Sequence, residues 1–145
     1  MEKPINDFRM NITSKSVNEG FLRAVISSFT ALCDPTIEEI NDIKTAVSEA
    51  VTNAIVHGYK EKQGRIYIDA AIFRDNTVRI KIRDKGDGIE DVKKAMEPLF
   101  TTAGDDRSGL GFTVMENFCD KVKVSSTKGK GTIVTLTKKI SGKCE

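Results

Sequence analysis

The hydrophobic period of the chain changes at Gly58, and this switch constrains the fold more than any other feature. Before it, Ile40, Ile43, Val47, Ala50, Val51, Ala54 and Ile55 recur every three or four residues, the spacing that lines one face of an α-helix. After it, Ile66, Ile68, Ala70 and Ile72, then Val78, Ile80 and Ile82, alternate with other residues as in strands with one buried face. Arg74-Asp75-Asn76 between the two runs predicts a hairpin turn. An amphipathic helix feeding into a strand pair buries both apolar faces only if helix stacks on sheet.

The flanking segments extend this pattern. Ile5, Phe8, Met10 and Ile12 alternate with one slip and predict a first strand. Ser16 and Glu19 have the spacing of a capping box, followed by Phe21, Leu22, Val25, Ile26, Phe29 and Leu32 at helical spacing until Asp34-Pro35. Thr36 and Glu39 repeat the capping signal for the second helix, with Gly58 as its expected C-cap. A short helix is expected around residues 91–96, then a polar loop over 101–108. Gly109-Leu110-Gly111 is read as the start of a third helix reaching about Cys119, and Val122, Val124, Ile133, Val134 and Leu136 form a last hairpin around Gly129-Lys130-Gly131. The order predicts an α/β (α+β) sandwich: a mixed, antiparallel-rich sheet with helices on one face, in a single domain spanning 1–145.

Charge is nearly balanced, 23 basic against 21 acidic side chains, so no large net field draws the chain to nucleic acid or membrane. Cys33, Cys119 and Cys144 are far apart and odd in number, and are expected to be reduced thiols. No apolar run is long enough to cross a bilayer and no basic-then-apolar leader opens the sequence, so a cytoplasmic location is expected.

Four local patterns carry possible chemistry. Glu49 and Asn53, four apart, stack a carboxylate and an amide on one helix face where both can address one ligand. Asp84 ends a predicted strand and is followed by Gly86 and Gly88; its carboxylate suits an exocyclic amino group, and the glycines let a flat ring approach the backbone. Ser108, Gly109 and Gly111 lie where a helix starts, with N–H groups to offer phosphate oxygens and the permanent cation Arg107 beside them. Thr132 follows Gly131 in the last hairpin. A Walker loop is absent because Leu110 replaces its lysine, and Ala95 stands where a calcium loop needs a glutamate.

In this order and spacing the patterns resemble the GHKL family of gyrase, chaperone, histidine-kinase and mismatch-repair ATPases. Glu-Ala-Val-Thr-Asn-Ala-Ile-Val-His-Gly at 49–58 resembles its N box, and residues 84–88 and 108–112 its two glycine boxes. Within the family, residues 47–59, the lid-like Pro-Leu-Phe-Thr-Thr at 98–102 and the helix at 111–118 are most similar to the sporulation anti-sigma kinases. The segment between Thr102 and Arg107 is a residue shorter than that resemblance leads one to expect.

The resemblance implies a Bergerat-type ATP-binding fold that takes ATP or ADP with Mg2+. Asn53 would be the metal ligand, Glu49 the base and Arg107 a phosphate cation. Asp84, Gly86, Gly88, Thr101, Thr102, Ser108, Gly109, Gly111 and Thr132 would surround the nucleotide. It further implies a homodimer that binds an RNA polymerase sigma factor and phosphorylates a serine of an anti-anti-sigma protein, with Arg23 on the partner surface. General-stress anti-sigma kinases and a non-catalytic ATP-binding module are the alternatives. His57 is expected to pack or reach a phosphate rather than carry a phosphoryl group, since no separate dimerisation helix exists to present it.

Overall fold

The computed structural model describes residues 2–60, 62–86, 88 and 107–144, with the backbone alone for 107–110. The elements are β1 (Asn6–Thr13), α1 (Asn18–Thr30), α2 (Ile37–Asn53), β2 (Arg65–Ile72), β3 (Thr77–Asp84), α3 (Arg107–Phe118), β4 (Lys121–Thr127) and β5 (Gly131–Lys139). The five strands form one antiparallel sheet in the order β1-β2-β3-β5-β4. Alternation decides which side is covered: Ile66, Ile68, Ala70 and Ile72 share a buried core with Val78, Ile80, Ile82, Val134 and Leu136. Leu22 and Ile26 of α1, Ile43, Val47 and Val51 of α2 and Met115 of α3 close over it. Each Val, Leu, Ile or Met side chain among them contributes about 1.5–3 kcal/mol when taken out of water. Phe8 of β1 meets Phe29 of α1 edge to face at 4.8 Å. The expected sandwich is therefore present, while the short helix expected at 91–96 lies outside the described residues.

The two capping signals fare differently. Thr36 Oγ1 accepts from the Glu39 amide and Glu39 Oε1 accepts from the Thr36 amide, so the second box forms as read. The first does not. Val17 occupies the N-cap of α1 without a side-chain bond. Glu19 is engaged elsewhere, accepting from Ser48 Oγ of α2 and pairing with Arg23 at 3.5 Å. Gly58 is not a simple C-cap either, because α2 runs on as a π-helical turn over Ala54–Gly58, with the Tyr59 amide bonded to the Ala54 carbonyl.

The thiol expectation is corrected. Cys33 and Cys144 are joined by a disulfide, 111 residues apart in sequence. After β5 the chain returns to the α1–α2 corner: Ser141 donates through N and Oγ to the Glu39 carboxylate, and the Cys144 amide donates to Asn76 Oδ1. That path, invisible in cysteine spacing, brings the sulfurs together. Cys119 is the free cysteine, and burial pushes its thiol up to about 11 against the opposing pull of Lys138. No helix among the described residues is long and apolar enough to cross a membrane.

Candidate functional site

Glu49 and Asn53 project from the last turns of α2, and α3 closes on both. A β-carbon built on Gly111 would stand 3.0 Å from Asn53 Nδ2 and 3.3 Å from Glu49 Oε2. Any larger residue would fill the space these two groups share. Asn53 Nδ2 is buried and has no hydrogen-bond partner among the described residues. Leaving such a group unsatisfied costs about 1–3 kcal/mol, a debt an incoming polar ligand removes. A turned amide presents its oxygen there instead.

Asp84 forms a second centre at the end of β3. It is 5% exposed, lies opposite Thr132 in the β3–β5 register, and its Oδ1 accepts from the Gly86 amide at 2.9 Å. Gly58, at the end of the π turn, lies directly against it: a β-carbon there would stand 2.7 Å from Asp84 Cγ and Oδ1. The π turn therefore links the two centres, with Asn53 immediately before it and Asp84 packed at its end. Thr132, also buried, shares a hydroxyl bond of 2.8 Å with Ser126, and Gly88 sits against the Thr127 carbonyl of the β4–β5 hairpin.

Arg107, Ser108 and Gly109 form the first turn of α3, which begins two residues before the expected glycine. Their N–H groups belong to the set that a helix leaves without internal partners. Thr101 and Thr102 lie outside the described residues. Arg23 stands apart on α1, 42% exposed at its side chain and tied through Glu19 to Ser48, the neighbour of Glu49. His57 lies within the π turn.

Three residues escaped the sequence reading. Gly58 matters for its approach to Asp84 rather than as a cap. Tyr59 accepts the Lys85 amide at 2.9 Å and donates to the Arg65 carbonyl, holding the chain after Asp84 against the start of β2. Gly131 has φ +118, and a β-carbon there would stand 2.1 Å from the Asp84 carbonyl oxygen. Only the positions of the two glycines at motif ends hinted at these roles.

Residues 13–138 match the histidine kinase-like ATPase domain family. The chain is 57% identical over 136 residues to the anti-sigma F factor of Thermoanaerobacter sp. strain X514, covering 93% of this chain and 94% of that protein. To the anti-sigma F factor of Clostridium acetobutylicum it is 51% identical over 137 residues, covering 94% and 95%. Among solved structures it resembles the RsbU and RsbW domains of Rv1364c from Mycobacterium tuberculosis. The TM-score is 0.71 at 24% identity, over 98% of this chain and 34% of that one. The SiaB-SiaC complex from Pseudomonas aeruginosa aligns at TM-score 0.63 and 12% identity, over 92% and 89%. Fold and sequence place the chain in the histidine kinase-like ATPase family and, within it, among the anti-sigma F factors.

A domain of this family implies nucleotide binding. The residues fit a triphosphate with a hard cation. A buried amide without a partner among the described residues stands near a carboxylate, and the facing residue is a glycine whose β-carbon would crowd both.

Proposed function

We propose that the chain is a protein-serine kinase that moves the γ-phosphate of Mg-ATP to a serine of an anti-anti-sigma protein and, with nucleotide bound, captures a sporulation sigma factor. The convergence of Glu49, Asn53 and Gly111 supports this reading, because a carboxylate that could act as base stands near a buried amide nitrogen with no partner among the described residues. In the proposed step the serine oxygen attacks the γ-phosphorus while the bond to the β–γ bridging oxygen breaks, and Glu49 receives the hydroxyl proton as ADP leaves. When bound, magnesium would neutralise phosphate charge, and Asn53 is the residue that would hold it. Asp84 would accept the adenine amino hydrogen, with Gly86, Gly88 and Thr132 around the ring. The first-turn amides of α3 at Ser108 and Gly109, with Gly111, would cradle phosphate oxygens, Arg107 would add a cation, and Thr101 and Thr102 would close over them.

In the same reading Arg23 belongs to the surface that meets the sigma factor and its antagonist, and the protein works in the cytoplasm as a homodimer. β1 supports the dimer by lying at the sheet edge, where its outer backbone groups are available for pairing. The test is transfer of labelled phosphate from ATP to a purified anti-anti-sigma protein, with phosphoserine identified by mass spectrometry. Transfer from wild type, and none from Glu49→Gln despite retained nucleotide binding, is expected. A Glu49→Gln protein that transfers normally removes Glu49 from the base role. Absence of ATP binding in calorimetry ends the whole reading.

A further inference from the structure

The balanced net charge conceals an uneven distribution. On the sheet face opposite the helices, strand register lines up the residues of that face from edge to edge, all but Ala71 at least partly exposed. One row runs Arg9, Asp69, Lys81, Thr135, Lys123. The next runs Asn11, Tyr67, Arg83, Ile133, Ser125, and the row on the other side Asp7, Ala71, Arg79, Thr137, Lys121. Asp7 and Asp69 are the acids on these rows, and Asp69 is already paired with Arg9 at 3.2 Å. The helical layer carries the opposite sign, with Glu38, Glu39, Asp42 and Glu49 against Lys44 along α2. A basic field confined to one face attracts acidic partners even when the whole molecule is nearly neutral.

This face also has relief. A hollow of about 430 Å³ is lined by Arg9, Asn11, Tyr67, Lys81, Arg83 and Ile133 among others. Arg79, Lys81 and Arg83 alternate along β3, so their side chains repeat every ~6.8 Å, the repeat of acidic side chains at alternate positions of another extended segment. The Tyr67 ring already carries the Arg83 guanidinium at 4.8 Å and the Lys85 ammonium at 4.9 Å, so it is a poor stacking platform for a nucleic-acid base. Half-buried Ile133 on the hollow's wall instead offers an apolar contact, which a protein segment uses and a phosphate backbone does not.

We infer that the open sheet face docks an extended acidic segment of a partner protein, its carboxylates over Arg79, Lys81 and Arg83 and an apolar residue in the hollow beside Ile133. Glu49 and Asn53 lie with the helices on the opposite side, so this docking stands or falls independently of the kinase reading. The probe is a fluorescein-labelled peptide of about 12 residues, Glu alternating with Thr around one central Leu, titrated by anisotropy from about 50 to about 300 mM salt. Wild type is expected to bind with an affinity that falls as salt rises. Lys81→Glu with Arg83→Glu is expected to bind about tenfold more weakly or worse, and Lys44→Glu on the helical layer as wild type does. No binding at low salt, or no loss in the double variant, overturns the inference. Tighter binding of a single-stranded oligonucleotide of equal charge assigns the face to nucleic acid instead. A change of oligomeric state in the double variant, seen by light scattering, assigns it to a second copy of the chain.

Discussion

At the start of α2, Thr36 and Glu39 exchange hydrogen bonds and the Glu39 carboxylate also receives Ser141, so the polar groups there are answered from within the chain. Seventeen residues of helix later, Asn53 keeps a buried amide nitrogen without a partner among the described residues, and the backbone goes on into a π turn packed on Asp84. The same helix thus has one end whose polar groups are satisfied from within the chain and, in the proposed reading, one end that a ligand completes. Satisfied polar groups lower the energy of the folded chain alone, whereas unsatisfied ones hold energy that a ligand releases on binding.

Breaking the Asn53 end should have the largest effect. Glu49→Gln is expected to slow phosphoryl transfer by about 10²–10⁴-fold while leaving the melting temperature and nucleotide affinity near wild type, checked by single-turnover kinetics and calorimetry. Reduction of Cys33–Cys144, near the Thr36 end, should act on stability instead. A loss of about 2–4 kcal/mol in urea unfolding is expected, reproduced by Cys144→Ser, with ATP affinity unchanged. Gly58→Ala drives a methyl against the Asp84 carboxyl, and a stability loss of about 1–3 kcal/mol together with weakened adenine-nucleotide binding is expected. Equal nucleotide affinity in that variant would mean that the two ends of α2 differ less than the geometry implies.

Smaller effects sharpen the contrast. Thr36→Ala should cost about 1 kcal/mol of stability through the lost cap and leave nucleotide affinity intact. Burial acts to raise the Glu39 carboxyl, but hydrogen bonds from Thr36 and Ser141 outweigh it and hold the group below its ordinary 4.5. A depressed folded-state pKa stabilises above the unfolded value and is lost as pH falls through the folded one. The stability difference between wild type and Glu39→Gln should therefore be full near neutrality and shrink as pH drops below about 4.5, in urea titrations across that range.

Local rules made much of this protein legible. The change of period at Gly58, the Thr36 box and the alternation through β2 and β3 each follow from contacts within a few residues, and the elements formed where those patterns stand. That Glu49 and Asn53 share one face of α2 was equally readable, because four residues make about one helical turn. The Ser16–Glu19 signal had the right local form, but α1 starts one residue later with Val17 at its N-cap, and the Glu19 carboxylate accepts from the distant Ser48 instead.

What only tertiary structure decided shares that cause. Gly111 against Asn53, Gly58 against Asp84, Cys33 against Cys144 and the basic rows of the open sheet face join residues far apart in the chain. Their meeting depends on how strands register and helices settle on them. Periodicity specifies which face of an element is buried, but not which residue of another element will lie against it.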